Sequence, residues 1–169
     1  MSHVIRAYRA DDLGACRRLW EELTEHHREI YGDPTIDGDN PGRQFDEHLA
    51  RVGPGRIWVA EEDGAVCGLV ALIAVDGEEE GEIEPVVVSK ARRGAGIGAA
   101  LLTRATDEAR RCGVRFLNIR PVARNGRAIS LFARAGFNLV GRFELFQELS
   151  PSDRSWSTPF SLNGEALNC

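Results

Sequence analysis

Lysine is nearly absent from this sequence, because Lys90 is the only one among the 21 Lys and Arg residues of a 169-residue chain. The P-loop pattern G-x-x-x-x-G-K-[ST] needs a lysine after its glycines, and here no lysine follows the glycine-rich stretch 94–98, so that phosphate site is excluded. Long apolar runs are also missing, since none approaches the roughly 20 residues that span a bilayer. We therefore expect no membrane partner. The opening residues, MSHVIRAYRADD, show no apolar segment typical of a signal peptide, so we expect a cytoplasmic protein.

Cysteines are few and scattered. The four, Cys16, Cys67, Cys112 and Cys169, form no C-x-x-C pair. This spacing argues against a disulfide framework or a zinc site and favours reduced thiols. We expect no bound metal.

Charge is unevenly distributed along the chain, although the net charge is only -5. Residues 1–85 carry 8 arginines and 20 acidic residues, whereas residues 86–169 carry 13 basic and 6 acidic residues. A basic half can attract an anion and an acidic half a cation, but two solvated faces would give the same pattern. A nucleic-acid partner is not expected, because the basic residues alternate with helix-core positions.

Hydrophobic periodicity predicts the element order βααβββαβαβ. Consecutive strands around Asp63-Gly64 indicate an antiparallel hairpin. The strand–helix–strand unit over residues 82–122 indicates a parallel pair with a right-handed crossover. The last predicted strand is FNLVGRFELFQEL, residues 137–149. Together these elements predict an α/β fold with a mixed sheet and helices on its faces.

The most informative stretch is VVVSKARRGAGIGAALL, residues 86–102, where three glycines stand at the predicted start of a helix. Glycines and free N–H groups at a helix start form a concave anion site, so a phosphate or pyrophosphate is expected over residues 93–98. The dinucleotide pattern G-x-G-x-x-G/A matches Gly94, Gly96 and Ala99, which keeps an NADP-binding domain open as a hypothesis. A lone match is weak, however, and five residues separate the strand from the first glycine. The third pattern, [Q/R]-x-x-G-x-[G/A], matches from Arg93 to Gly98.

With these residues the chain resembles the GNAT (Gcn5-related) N-acetyltransferase superfamily over about residues 4–149. The stretch 86–102 is similar to the family's acyl-CoA signature, and RNGRAISLFARAGF, residues 124–137, is similar to its second motif. The resemblance implies a mostly antiparallel central sheet of about six to seven strands, with the fourth and fifth strands splayed. It also implies a family domain over residues 1–149, with residues 150–169 as a C-terminal extension that packs on the domain or on a partner chain.

The resemblance further implies that the cosubstrate is acetyl-CoA, whose pantetheine arm enters the gap between the splayed strands. Pro85 supports such a gap independently, because a proline inside a central strand cannot donate to the ladder and suggests a bulge or a parting of strands. An ordinary edge-strand proline is the alternative. The expected cofactor-binding residues are Val86, Val87, Val88, Arg93, Gly94, Ala95, Gly96, Ile97, Gly98, Ala99, Asn125 and Phe132.

Acetyl transfer to an amine requires a base, because an ammonium group has no lone pair. Glu82 and Glu84 lie two apart on one strand and so share a face, which makes both candidates for the general base. Glu82 aligns better with the strand-four glutamate of some relatives. Both residues could instead belong to an inert acidic turn. A backbone N–H near Val87 is the expected oxyanion donor.

The general acid is missing from the family pattern. Phe132 stands where many relatives carry tyrosine. Either another group or water serves as the acid, or the thiolate leaves unassisted, or the protein is a non-catalytic acyl-CoA-binding module. We expect the acceptor to be a primary amine of a small molecule or a peptide. His27 and Tyr31 are candidate acceptor-site residues, next to an acidic loop (Glu29, Asp33, Asp37 and Asp39) that can attract a cation. A homodimer is expected only from the resemblance.

Overall fold

The computed structural model describes residues 3–74, 77–152 and 154–169. Within these ranges it contains four α-helices and seven β-strands, besides short 3-10 turns. The helices are Leu13–Tyr31 (α1), Gln44–Val52 (α2), Ile97–Arg111 (α3) and Gly126–Arg134 (α4). The strands are Val4–Ala7 (β1), Ile57–Glu62 (β2), Ala65–Ala74 (β3), Glu80–Val88 (β4), Phe116–Ile119 (β5), Pro159–Leu162 (β6) and Glu165–Asn168 (β7). The end of the predicted second hairpin strand falls on Val75 and Asp76, which lie outside the described residues.

The central sheet has the strand order β1-β2-β3-β4-β5. Its first four strands are antiparallel neighbours, and β5 joins β4 in parallel after the α3 crossover. Asp63 and Gly64 both have positive φ angles, +52° and +76°, and they form the tight turn between β2 and β3. The predicted mixed, mostly antiparallel α/β sheet is therefore confirmed.

Strand β4 bulges at Pro85 and then parts from β5. Val70 of β3 pairs with Val86 and Leu72 pairs with Ile83, so two residues of β4 oppose one residue of β3. The peptide bond between Glu84 and Pro85 is cis. Strand β5 pairs only with residues 80–83 of β4, which leaves residues 84–88 without a partner strand on that side. The predicted splay of the fourth and fifth strands is thus present.

Each face of the sheet is covered by its own hydrophobic core. Helices α1 and α2 pack on one face, where Cys16, Leu19 and Phe45 meet inward residues of β2 and β3. Helix α3 packs on the other face through Ile97, Leu101, Leu102, Ala105 and Ala109. These five residues recur at helical spacing, so one stripe of α3 is apolar and its burial holds the preceding loop against the sheet.

The prediction of a strand over residues 137–149 is wrong, and so is the count of six to seven strands in the sheet. This segment forms no ladder with the described strands, and its alternating apolar side chains are exposed, with Leu139 at 87% and Leu149 at 86%. Alternation reports an apolar face, but a strand also needs a neighbouring edge to hydrogen-bond with. The central sheet has five strands, and β6 and β7 form a separate antiparallel pair.

The C-terminal segment returns to the end of α1. The backbone N–H of Ser155 donates to the Tyr31 carbonyl at 2.8 Å, and the Trp156 ring packs edge-on against the Tyr31 ring, with centroids 5.7 Å apart. Asp153 of this extension lies outside the described residues. Among the helices that are described, none combines the length and the apolar character needed to cross a bilayer.

Candidate active site

The loop between β4 and α3 has the geometry of an anion site. Gly94 and Gly96 have φ angles of +89° and +82°, and a Cβ added at either would meet no atom within 4 Å. Only glycine adopts such angles without strain, and it leaves the backbone open to a ligand. Gly96 precedes Ile97, the first residue of α3, so the unpaired N–H groups of the first helical turn point toward this loop. Residues 93–98, where a phosphate is expected from the sequence, therefore combine open backbone with the start of α3.

The two arginines of this loop have different partners. Arg92 pairs with Glu62 at 2.7 Å, and only 3% of the Glu62 side chain is exposed, so its positive charge is already matched by a buried carboxylate. Arg93 donates from Nε to the Val88 carbonyl at 3.1 Å, and no acidic partner is recorded for it among the described residues. A cleft of about 420 Å³ lies between them and Glu62. Arg93 is therefore the loop's available cation.

The unpaired part of β4 leads directly into this loop. Val86 and Val88 pack toward α3, whereas Val87 is buried among the residues that face α1. For these three residues the strand neighbours lie on β3 alone, and successive residues of a strand turn their N–H and C=O groups to opposite sides. The Ser89 N–H donates to the Cys67 carbonyl of β3, so Val87 also faces β3, and the backbone groups of Val86 and Val88 point into the gap beside β5. An amide-rich chain could pair with this edge as another strand would.

Glu82 and Glu84 lie at the entrance of the gap, and each is held by a different arginine. Arg120, directly after β5, donates to both carboxylate oxygens of Glu82, with Nε 2.6 Å from Oε1 and Nη2 in a short contact with Oε2. Within the described residues, the Glu84 carboxylate accepts one hydrogen bond, from Arg51 Nη2 to its Oε2 at 3.2 Å. The Glu84 side chain is 45% exposed and that of Glu82 is 14% exposed. Glu84 thus has a free and accessible oxygen, whereas both oxygens of Glu82 are engaged.

His48 of α2 is buried beside this entrance. Its ring lies 5.1 Å from the Trp20 ring, its Nδ1 lies 3.1 Å from Arg51 Nη2, and 4% of the residue is exposed. Burial, with Arg51 as a second cause, lowers the His48 pKa to about 4, although the Glu84 backbone carbonyl opposes the decrease. His48 is therefore neutral at physiological pH and accepts a hydrogen bond from Arg51, which also donates to Glu84.

Helix α1 closes the gap from the other side. The Glu22 carboxylate accepts the Lys90 backbone N–H at 2.7 Å and the Ser89 hydroxyl at 3.2 Å, which ties α1 to the end of β4. Asn125 is the N-cap of α4, since its Oδ1 accepts from Ala128 N at 3.1 Å. Its Nδ2 lies 3.4 Å from His26 Nε2 of α1. The end of β4, α1 and the start of α4 therefore surround one opening.

The structure places the candidate acceptor residues unequally around this opening. His26, rather than the predicted His27, faces Asn125. Burial lowers the pKa of His27, and the Asp37 charge opposes that decrease. Tyr31 is half-buried at the end of α1 under the C-terminal segment. In the acidic loop, Asp33 is occupied by Thr35 and Arg154, and Asp37 accepts from Thr24 at 2.7 Å. Both carboxylates serve to hold the loop.

Phe132 lies in the hydrophobic core rather than on an open surface. It is 8% exposed and packs near the Phe137 ring, with centroids 6.4 Å apart. On the neighbouring helix α3, a Cβ added at Gly98 would come within 3.0 Å of Leu131 Cδ2. Gly98 therefore lets α4 approach the start of α3 closely. Phe132 and Gly98 thus allow α4 to pack against the start of α3.

Sequence analysis missed four residues at this site: Arg51, Arg120, Arg124 and His48. Arg120 had a usable signal, because the parallel register of β5 on β4 sets Ile119 opposite Ile83 and so brings the next residue beside the two glutamates. Nothing in the sequence indicated that α2 would bring His48 and Arg51 to the same place. No group of three or more potential metal ligands occurs within residues 3–74, 77–152 and 154–169.

Comparison with known proteins agrees with this architecture. The sequence profile described as the acetyltransferase (GNAT) family matches residues 16–137. An L-methionine sulfoximine/L-methionine sulfone acetyltransferase of Salmonella typhimurium is 29% identical over 134 residues, which are 78% of this chain and 77% of that protein. An L-amino acid N-acyltransferase of Escherichia coli is 29% identical over 136 residues, or 79% and 78% of the two chains.

A solved structure shows the same relationship. It is the Salmonella typhimurium yncA protein, a putative acetyltransferase with its cofactor acetyl-CoA, and it superposes with a TM-score of 0.61 at 29% identity. The match covers 80% of this chain and 79% of that one. The profile spans well over half of the sequence and agrees with the splayed sheet and the glycine loop, so this chain is an acyltransferase that belongs to the acetyltransferase (GNAT) family.

Proposed function

We propose that this protein transfers the acetyl group of acetyl-CoA to the primary amine of a small amino-acid acceptor by direct attack. The observation that carries the proposal is the unpaired edge of β4 over residues 84–88, which runs straight into the glycine loop at the start of α3. The amino-acid class is supported by two relatives, since their names state that they acylate L-amino acids or amino-acid derivatives. The wider set of candidate acceptors also includes peptides that carry a primary amine.

The residues present fit acetyl-CoA as the cosubstrate. The open backbone at Gly94 and Gly96 and the Arg93 guanidinium suit a pyrophosphate, because both supply positive electrostatic potential without side chains in the way. The free N–H and C=O groups of Val86 and Val88, on either side of Val87, suit the amides of a pantetheine arm, with Asn125 on the far side. The remaining residues of the loop, Ala95, Ile97, Gly98 and Ala99, form its wall with Phe132 beneath.

In this mechanism Glu84 is the general base. Its Oε1 has no recorded partner among the described residues, and its exposure lets a water or an ammonium group reach it. Glu82 was also a candidate, but Arg120 occupies both of its oxygens, so it acts instead by fixing Arg120 at the entrance. Glu84 takes the proton from the acceptor ammonium, directly or through a water, and leaves a lone pair on nitrogen.

The thioester supplies an activated acyl carbon and a thiolate leaving group. Negative charge that develops on the acyl oxygen is stabilised by a backbone N–H of the free β4 edge, that of Val86 or Val88. The predicted donor, Val87, has its own N–H turned toward Leu69 of β3. Phe132 is buried and cannot donate a proton, so no side chain at that position assists the leaving sulfur. A thiol is acidic enough for its thiolate to leave and then take a proton from water or from the new amide's nitrogen.

The test is a thiol-release assay with acetyl-CoA and a panel of L-amino acids, including methionine sulfone, beside non-amino-acid amines. We expect release above the rate without acceptor for at least one amino acid, with the N-acetyl product identified by mass spectrometry. Acetyl-CoA binding by calorimetry without any turnover on amines would contradict the proposed activity. Absence of acetyl-CoA binding would contradict the assignment of the loop.

We further propose that residues 150–169 pack on a domain formed by residues 1–149 and that the protein is a cytoplasmic homodimer. The contacts of Ser155 and Trp156 with Tyr31 support the packing. The four cysteines are free, which suits a reducing compartment. The exposed alternating segment 139–149 and the unpaired outer edge of β5 support pairing with a second copy. Light scattering on the purified chain tests this, because a monomer at micromolar concentration would contradict the dimer.

A further inference from the structure

Two guanidinium groups lie over the ring of Tyr31 at the end of α1. The Arg124 carbon Cζ is 5.1 Å from the ring centroid and that of Arg154 is 5.5 Å from it. The Trp156 ring packs edge-on against the same ring. Aromatic faces attract cations and fix the plane of a guanidinium, so this cluster holds two positive charges in defined orientations.

The two arginines differ in how their charge is matched. Arg154 donates from Nε to Asp33 Oδ2 at 3.2 Å. For Arg124, in the part of the chain that the structure describes, the recorded hydrogen bond runs from Nη2 to the Ser155 carbonyl at 2.7 Å, and no carboxylate pairs with it. Its Nε atom is buried and has no hydrogen-bond partner there. A buried donor of a charged group without an acceptor is costly, and a bound anion would remove that cost.

Arg124 also stands at the opening described above. It directly precedes Asn125, whose amide lies 3.4 Å from His26 of α1. The same helix is tied to the end of β4 through Glu22 and the Lys90 N–H. An anionic group bound to Arg124 would therefore lie on the α1 side of the opening, next to Tyr31.

We propose that Arg124 binds the carboxylate of the amino-acid acceptor, which rests on the function proposed above. The planar guanidinium can hold a carboxylate through two parallel N–H···O bonds, and the Tyr31 ring and the Ser155 carbonyl keep it in place for this contact. This makes Arg124 a specificity-determining residue, because amines without an adjacent carboxylate lack a partner for it. A phosphate of the cosubstrate is another anion that a guanidinium would bind, and the experiment separates the two.

The experiment compares L-methionine sulfone with its carboxamide, which keeps the amine but lacks the carboxylate. Thiol release is measured for the wild type, Arg124→Gln, Arg124→Lys and the control Arg127→Gln. Arg127 is an exposed arginine of α4, three residues away. In Arg124→Gln we expect kcat/KM for the acid to fall about 10- to 100-fold, because a charged hydrogen bond is lost, and the change should appear in KM. For the carboxamide, kcat/KM should change less than about threefold. Arg124→Lys should recover part of the loss, and Arg127→Gln should match the wild type.

Other outcomes overturn the proposal in distinguishable ways. Equal losses for the acid and the carboxamide, or a wild type that uses both equally, would overturn the carboxylate contact and leave the proposed activity intact. A weaker affinity for CoA by calorimetry, with an unchanged KM for the acid, would assign Arg124 to a phosphate. Turnover of simple amines but of no amino acid would remove the acceptor class, and the carboxylate contact with it. If Arg124→Gln also unfolds at a lower temperature, unchanged kinetics with the carboxamide show that the variant is still folded and active. The loss with the acid then still reports the carboxylate contact.

Discussion

Arg120 binds both carboxylate oxygens of Glu82, whereas Glu84, two residues along the same strand, keeps one oxygen free. The Arg120–Glu82 pair bridges β5 and β4 at the last point where these strands are hydrogen-bonded, Ile83 opposite Ile119. The pair therefore marks where the sheet begins to part. Two glutamates that look equivalent in the sequence thus have different environments, one structural and one open to a reacting amine.

Glu84→Gln should lower kcat about 100-fold and leave the affinity for CoA unchanged. A general base typically contributes about 100- to 10,000-fold, and the amide keeps the shape and the contact with Arg51 but cannot accept the ammonium proton. The measurement is steady-state thiol release with the best acceptor of the panel, together with CoA titration by calorimetry.

Glu82→Gln is the matched control for this prediction. We expect kcat to fall less than about tenfold, because the loss weakens the contact with Arg120 without removing a proton acceptor. A larger loss in Glu82→Gln than in Glu84→Gln would reverse the assignment of the base. Equal and small losses in both variants would show that water alone accepts the proton.

The fold could be read largely from the sequence because its signals are local. Turn glycines, helical spacing and the strand–helix–strand unit gave the order of the first nine elements and the parallel pairing of β4 with β5. Pro85 indicated the bulge for a physical reason, the missing N–H donor. The strand prediction for residues 137–149 was wrong because alternating apolar residues do not show whether the edge of another strand is within reach.

The site could be predicted only where one segment builds it. The loop over residues 93–98 carries its chemistry in consecutive residues, so glycines and an arginine indicated a phosphate. The contacts of Arg51, His48 and Arg124 depend on how α2 and the C-terminal segment fold back, which are long-range events without a local pattern. The different roles of Glu82 and Glu84 likewise arise from Arg120, 38 residues after Glu82, and from Arg51, 33 residues before Glu84.

Gly96→Ala should weaken CoA binding about tenfold or more. At φ +82° an alanine is strained by roughly 1–2 kcal/mol, and relaxing this strain turns the N–H groups of the loop away from an anion. Calorimetry with CoA measures the effect. Gly55→Ala is the control, because that glycine also has open space around it but no positive φ. Unchanged affinity in Gly96→Ala would mean that the loop does not need this backbone angle to bind the cosubstrate.

His48 should make the protein less stable in mild acid. Its pKa is about 4 in the folded chain and near 6.5 when unfolded, so the unfolded state binds more protons between these values. Its contribution is fully present above pH 6.5 and is lost as the pH falls toward 4. We expect the free energy of unfolding to fall by about 2 kcal/mol between pH 7.5 and pH 5 through this group, measured by urea denaturation.

His48→Leu is the variant that tests this pH dependence, because leucine fills a similar volume and does not titrate. The loss between pH 7.5 and pH 5 should shrink by about the same 2 kcal/mol, whatever the change in stability at pH 7.5. In this variant His27, whose pKa is also lowered by burial, still makes the free energy of unfolding fall somewhat as the pH decreases. The carboxylates with lowered pKa, such as Asp12, titrate below this window. An unchanged slope in His48→Leu would show that the pKa of His48 does not change on folding.

Trp156→Ala should impair acceptor binding without affecting the cosubstrate. The ring packs against both Tyr31 and Phe146, with centroids 5.7 Å away in each case, so its loss removes two aromatic pairs worth about 0.5–1.5 kcal/mol each. Because Tyr31 supports the Arg124 guanidinium, a loosened Tyr31 should raise KM for an amino-acid acceptor several-fold while the affinity for CoA stays within about twofold. Phe160→Ala on the β6–β7 hairpin is the control and should leave KM unchanged, since no ring contact with Tyr31 is recorded for Phe160 among the described residues. If Trp156→Ala leaves KM unchanged while thermal unfolding is also unaffected, the C-terminal segment does not hold Tyr31 in solution.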